Sequence, residues 1–380
     1  MLSKLHDFYL FCKNINLGFV LLFSVIVLTS LGLVVLASAS LSFSQESSSI
    51  FNKQLMWLLM AIISGSVMVF IDLGKLRKFA SLIAVGTAIL LILVLVPGIG
   101  IRVNGAQRWL GIGFIRFQVG EFAKISLVFL LAHYLATNQR IIKTFIRGFC
   151  IPSMFIGCVC LLIILQPDFG TTFLCGCVGC GMLFLGGVRL RYLLPSLMGG
   201  IGLFFIAILL NPVRLRRLTS FLDIEGNKSD GAYQLWQGIL AFAAGGLKGV
   251  GLGNGRQQMA FLPEAHTDFI FPIIGEELGL YFTLGVACFF LLIFIIGYMI
   301  LRRIPDLFYF SLVIGSLLCI TFQALINIGV VTGLLPTKGM SLPFISYGGS
   351  NLVVMFMLVG ILLNALKTWS IQLLPQPSEL

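Results

Sequence analysis

Apolar positions along this chain fall in long unbroken runs, separated by short polar connections, rather than at the alternating or three-to-four spacing of half-buried elements. A helix needs about 20 apolar residues to cross the hydrocarbon of a bilayer. On that measure the pattern predicts ten spans, at 17–39, 55–71, 79–96, 119–136, 151–165, 171–187, 192–210, 269–301, 307–334 and 344–366. The first run is too long for a removed signal peptide and carries no small-residue cleavage pattern, so it reads as an uncleaved span. The expected fold class is an all-α polytopic integral membrane protein, with residues 1–380 as a single membrane domain.

Basic residues occupy every second connection: Lys75, Arg77 and Lys78; Arg140, Lys143 and Arg147; Arg189 and Arg191; Arg302 and Arg303. Lys4 and Lys13 lie before the first span and Lys367 after the last. Lys and Arg mark cytoplasmic turns, so both termini are expected inside. The outer connections are then 40–54, 97–118, the Gln166-Pro167-Asp168 turn, 211–268 and the turn before Phe344. Of these, only the large loop 211–268 is expected to have structure of its own.

Composition agrees with the pattern: 58% of residues are hydrophobic, 10% are charged, and mean hydropathy is +1.05. The net charge of +11 is spread through short loops, which is a topology signal and excludes a nucleic-acid tract. Most of the nine cysteines fall inside apolar runs and read as small packing residues. Cys177-Val178-Gly179-Cys180 has zinc-like spacing but no partner pair, so no metal site is expected there.

Against this background the polar residues stand out, because an ionisable group at membrane depth is costly unless paired, solvated or used. In Phe261-Leu262-Pro263-Glu264-Ala265-His266-Thr267-Asp268-Phe269, a polar loop runs straight into an apolar helix and sets Asp268 at its outer lip. Thr267 and Asp268 read either as ordinary N-caps or, for Asp268, as a reactive group facing a lipid-borne substrate. Glu121 and Lys124 share a helix face and can pair. Glu276 and Glu277 point to different sides of the eighth span, so at least one faces the bundle or a polar cavity. Asp168 reads as a solvated loop residue.

Further outer residues add cations and aromatics: Arg102, Asn104, Arg108 and Trp109; Arg214, Arg216 and Arg217; Pro336-Thr337-Lys338-Gly339; and Ser346-Tyr347-Gly348-Gly349-Ser350. Trp109 fits an aromatic belt. The run Gly245-Gly246-Leu247-Lys248-Gly249-Val250-Gly251-Leu252-Gly253-Asn254-Gly255-Arg256 lacks the strand-turn-helix context of a dinucleotide loop. It reads as a pliable loop whose bare backbone approaches a ligand, with Lys248 and Arg256 available for anionic oxygens. The set suits a ligand with a buried tail and a phosphate-bearing head.

These motifs resemble the SEDS family of bacterial cell-wall polymerases, and its division branch more than its elongation branch. The resemblance rests on Leu262-Pro263-Glu264-Ala265-His266-Thr267-Asp268-Phe269-Ile270-Phe271, Gly275-Glu276-Glu277-Leu278-Gly279, Leu335-Pro336-Thr337-Lys338-Gly339, Leu342-Pro343-Phe344-Ile345-Ser346-Tyr347-Gly348-Gly349-Ser350 and Gln166-Pro167-Asp168-Phe169-Gly170-Thr171. Two departures are Gln118-Val119-Gly120-Glu121, where the family has Gln-Pro-Ser-Glu, and Gln107, where arginine is common.

The resemblance implies a glycosyltransferase that joins lipid II into glycan strands on the outer face of the cytoplasmic membrane. It also implies an FtsI-like class B penicillin-binding protein and other division proteins as partners. Asp268 matches the family's essential carboxylate, and Glu121, Lys124 and Trp109 match positions implicated in activity. The expected supporting set is Trp109, Arg108, Glu121, Lys124, Arg214, Lys248, Arg256, His266, Glu276, Lys338 and Ser346. A divalent cation, Mg²⁺ or Mn²⁺, is a possible cofactor, and a metal held by Asp268 is the rival to its role as base. Two further classes stay open. A lipid II flippase is disfavoured by the gathering of polar motifs on one side without an inverted repeat. A recruiting scaffold leaves the placement of Asp268 unexplained.

Overall fold

The computed structural model describes residues 16–371 except 43–45, 104, 113–114, 211, 258–261, 263–265 and 337. The helices are α1 (Leu17–Ser42), α2 (Glu46–Phe70), α3 (Leu73–Leu95), α4 (Val119–Thr137), α5 (Phe145–Ile164), α6 (Phe169–Leu185), α7 (Leu190–Leu209), α8 (Pro212–Leu222), α9 (Tyr233–Gly245), α10 (Ile270–Leu278), α11 (Leu280–Leu301), α12 (Leu307–Val331) and α13 (Gly349–Ile371). Among the described residues eight are long and apolar enough to cross a membrane, and α6 is a shorter apolar helix. Each of the ten predicted runs is occupied by helix. Three helices start where an aspartate caps the first turn: Asp72 accepts from Lys75 N, Asp168 from Thr171 N and Asp306 from Tyr309 N.

Hydrocarbon is as apolar as leucine, so helices in lipid associate through close packing and polar bonds rather than through expulsion of water. Here α4, α12 and α13 form the centre, with α2 against α13 and α6 against both α4 and α12. On α4, Leu127, Leu131 and Leu135 recur every four residues and are fully buried. Gly315 of α12 lets the helices meet: a Cβ there would stand 2.5 Å from Val128 Cγ1 and 2.8 Å from Met182 Sδ. The outer helices present large apolar side chains outward, such as Phe70, Leu82 and Met198.

The two ends of the bundle are chemically distinct. At one end Arg77 donates to Thr137 Oγ1 (3.1 Å) and covers the Phe308 ring, and Lys367 covers Phe70. At the other end Arg108, Gln118, Asp168, His266, Tyr347 and Ser350 come together. The alternation of basic and motif-bearing connections is therefore a physical separation.

Three expectations are corrected. Residues 101–118 are not bare loop: β1 (Ile101–Val103), β2 (Ala106–Ile112) and β3 (Ile115–Gln118) form an antiparallel sheet in order β1-β2-β3. Val103 pairs with Ala106, and Gly105, at φ +78°, supplies the left-handed conformation that so short a hairpin connection needs. The eighth run is two helices, since Gly279 at φ +81° separates α10 from α11. The outer connection 40–54 is mostly helix, because α1 continues to Ser42 and α2 begins at Glu46. The large loop 211–268 does hold structure, α8 and α9.

Candidate active site

Asp268 ends the polar turn before α10. The cap of α10 is Phe269, which makes no side-chain cap bond, so neither Thr267 nor Asp268 takes the N-cap position. The backbone of the turn is held from α12, where Asn327 Nδ2 donates to Asp268 O at 2.9 Å and to Met340 O at 2.6 Å. A Cβ on Gly339 would stand 2.9 Å from Asp268 Oδ2, so the carboxylate lies against the Gly339 backbone with no side chain between. Asp268 itself remains partly exposed.

Lys338, next to Gly339, places its ammonium 4.2 Å from the centroid of the Phe173 ring on α6. Burial pushes its pKa down to about 8, opposed by the neighbouring Cys177 thiol. His266 is tied to the last connection, where Tyr347 N donates to His266 O at 2.9 Å and the two rings lie 5.8 Å apart. The turn that carries His266 and Asp268 and the segment that carries Lys338 are thus brought together from two separate stretches of chain.

Beneath them lies a buried polar ladder. Lys124 Nζ sits 2.6 Å from Glu121 Oε2 and donates to Gln323 Oε1 at 2.7 Å. Gln323 Nε2 donates in turn to Ser341 O (2.9 Å) and Asn351 Oδ1 (2.8 Å). The predicted Glu121–Lys124 pair is therefore real, and its tie to the 338–341 segment runs through Gln323. Gln323 and Asn327, missed in the sequence reading, are two amides one helical turn apart in the apolar run of α12. That intramembrane polarity is the signal by which they are findable.

The sheet braces the site from one side. Arg108 donates from Nε to Gln166 O (3.2 Å) and from Nη2 to Pro167 O (2.5 Å). Gln118 donates from Nε2 to Asp168 Oδ2 (2.9 Å), while its backbone N–H donates to Ser350 Oγ (2.9 Å). Asp168 is buried, at 4% exposed, and not the solvated residue expected; it caps α6, one turn ahead of Phe173. Trp109 lies half-buried on β2, paired with Ile101 and with Gln118.

The glycine run does not offer bare backbone to a ligand. Its donors are spent on α10: Val250 N on Glu276 O, Gly251 N on Glu277 O, Gly253 N on Glu277 Oε1, and Arg256 N and Gln257 N on Glu276 Oε1. Both carboxylates are 1% exposed and anchor this clasp, so Glu276 acts as a scaffold. Lys248 and Arg256 are exposed on its outer side. Gly249 packs where a Cβ would stand 2.2 Å from Glu277 O. Ser346 likewise closes its own turn, its Oγ accepting from Leu342 N at 2.7 Å. On α8, Arg216 pairs with Asp230; the side chain of Arg214, together with Asn104, Pro263, Glu264 and Thr337, lies outside the described residues. Among the described residues no three His, Cys, Asp or Glu side chains converge to hold a metal ion.

Fold and site together define a polytopic helical membrane protein with a polar site at the end opposite its basic turns. The family described as a cell cycle protein family, FtsW/RodA/SpoVE, matches residues 19–370, and the chain belongs to it. The chain is 40% identical over 348 residues to the probable peptidoglycan glycosyltransferase FtsW of Saccharophagus degradans, covering 89% of each. It is 38% identical over 350 residues to the protein of that name in Geobacter metallireducens, covering 91% of this chain and 93% of the relative. Among solved structures it is similar to a chain of a peptidoglycan synthase complex described for its structural coordination of polymerization and crosslinking (25% identity, TM-score 0.76, 92% and 97% covered). It is also similar to the rod shape determining protein RodA of Thermus thermophilus (26% identity, TM-score 0.69, 92% and 96% covered).

Proposed function

We infer that this chain is a peptidoglycan glycosyltransferase: a multi-pass protein of the bacterial cytoplasmic membrane that polymerises lipid II into glycan strands at its outer face during cell division. The observation that carries this reading is the carboxylate of Asp268 lying against Gly339, the residue that follows the half-buried Lys338 in the chain, at the end of the bundle opposite the basic turns.

In the reaction, the 4-hydroxyl of one sugar attacks the anomeric carbon of another. The new C–O bond forms as the bond to the diphosphate oxygen breaks; the hydroxyl proton passes to Asp268, and polyprenyl diphosphate leaves with its electron pair. A base at the hydroxyl and positive charge at the leaving group are the two needs, met here by Asp268 and Lys338. Arg108, by its two bonds to the 166–167 carbonyls, holds the adjoining turn. A divalent cation, where bound, would rest on the Asp268 carboxylate and the substrate diphosphate rather than on a cage of three or more protein ligands among the described residues.

The similarity to a complex that coordinates polymerization with crosslinking supports an FtsI-like class B penicillin-binding protein as partner. The relatives named FtsW support a place at the division site, which a fluorescently tagged copy gathering at midcell tests. The activity is tested by giving the purified protein, with its transpeptidase partner, lipid II with and without Mg²⁺ or Mn²⁺. Glycan strands and released polyprenyl diphosphate are expected. Movement of lipid II across vesicles without polymer would establish the flippase instead.

Lys338 adds a pH dependence. The ammonium is needed in its charged form, so kcat/KM should fall about tenfold per pH unit above about 8 as the free enzyme loses that proton. Lys338→Arg, whose guanidinium stays charged, should carry activity past that point. An unchanged alkaline limb in Lys338→Arg would remove Lys338 from the role.

A further inference from the structure

Asn327 is 2% exposed, on a face of α12 that no substrate reaches directly, yet its amide nitrogen divides its two N–H groups between the two segments that make the site. One goes to Asp268 O on the turn before α10, the other to Met340 O on the segment that carries Lys338 and Gly339. One turn earlier, Gln323 holds the next carbonyl of that segment, Ser341 O, and is itself held by Lys124. The Asp268 carboxylate already rests against Gly339 without a side chain as spacer. Asn327 thus ties the backbone that carries Asp268 to the backbone that carries Lys338.

We propose that Asn327 is a positioning residue for glycosyl transfer, fixing the separation of the Asp268 carboxylate and the Lys338 ammonium by holding a carbonyl of each segment. This rests on the reading of Asp268 and Lys338 given above. Base and cation must meet opposite ends of one reacting centre, and a misplacement of about 1 Å costs roughly 10²-fold in rate. Removing the amide deprives two carbonyls of their donor and frees the segments to move apart.

The molecule supplies its own control. Asn364, on α13 at the basic end, is equally buried and donates to three carbonyls at the end of α2: Met68 O (2.9 Å), Val69 O (3.1 Å) and Ile71 O (2.7 Å). Lipid II polymerisation and thermal unfolding are measured on the full chain for the parent, Asn327→Leu, Asn364→Leu and Asp268→Ala. Asn327→Leu should lose about 10²-fold in kcat with KM for lipid II within about threefold of the parent. Asn364→Leu should match its drop in unfolding midpoint while keeping the parent's kcat. If Asn327→Leu does not fold, Asn327→Ala, which adds no bulk, is read against the same limits.

A kcat for the Asn327 variant within about threefold of the parent overturns the proposal. So does an equal loss of kcat in Asn364→Leu. Polymerisation surviving in Asp268→Ala overturns the underlying reading instead, and that result is separate from either.

Discussion

Asp268→Asn is expected to polymerise lipid II roughly 10²–10⁴-fold more slowly than the parent, the range lost when a positioned general base is removed. The substitution keeps the shape of the side chain and takes away its ability to accept the hydroxyl proton. Asp268 is held by its own carbonyl, through Asn327, and its carboxylate faces the open backbone of Gly339. Because asparagine keeps the size of the side chain and one of its oxygens, KM for lipid II and the unfolding midpoint should stay close to the parent's. The rate is read from release of polyprenyl diphosphate in the purified complex with its transpeptidase. A variant that polymerises at the parent's rate would dismiss Asp268 as the base.

The second large effect is on stability. Lys124→Met should destabilise the protein by roughly 3–5 kcal/mol, the cost of leaving one member of a buried ion pair without its partner. Glu121 is 7% exposed and Lys124 2%, so little water can compensate, and Gln323 Oε1 loses its donor as well. The double variant Glu121→Gln with Lys124→Met removes both charges and should recover most of the loss, because two neutral groups of similar size avoid the desolvation penalty. Denaturant titration in mixed micelles separates the two. A single variant costing under about 1 kcal/mol, or a double no better than the single, would show that the buried charge pair on α4 is not what sets the stability there.

The same two sites show why the sequence was readable where it was. Asp268 and the Glu121–Lys124 pair are charges in a chain whose solvent is mostly hydrocarbon, and there a charge is rare enough to be noticed. The ion pair needed only helical spacing to be inferred, since residues three apart share a face. Asn327 and Gln323 carry the same signal in weaker form. They are uncharged amides, and what they hold, the carbonyls of Asp268, Met340 and Ser341, is distant along the chain.

The sheet was missed for a different reason. Asn104-Gly105 ahead of a β-prone run is a hairpin signal, but its neighbours Arg108 and Trp109 suit an outer polar site as well as they suit a strand. Local pairing, Val103 with Ala106 and Trp109 with Gln118, decides that segment, and it then delivers Gln118 to Asp168 and Ser350. The glycine run was misread in the opposite sense. Its flexibility is used to wrap α10, at the close approach of Gly249 to Glu277 O. Nothing in glycine spacing distinguishes a backbone awaiting a ligand from one already bonded to a helix.

By itself the sequence determined the class of molecule, the runs that become helices and the end of the bundle where chemistry gathers. Those follow from the hydropathy of each run and from the placing of Lys and Arg, which act locally along the chain. Only the tertiary structure decided which of the many outer polar groups are neighbours. Lys338 comes to Phe173 and Asp268 to Gly339 across long separations in sequence, and Glu276 meets Arg256 N where the glycine run wraps α10, because each buried donor must find an acceptor or remain costly.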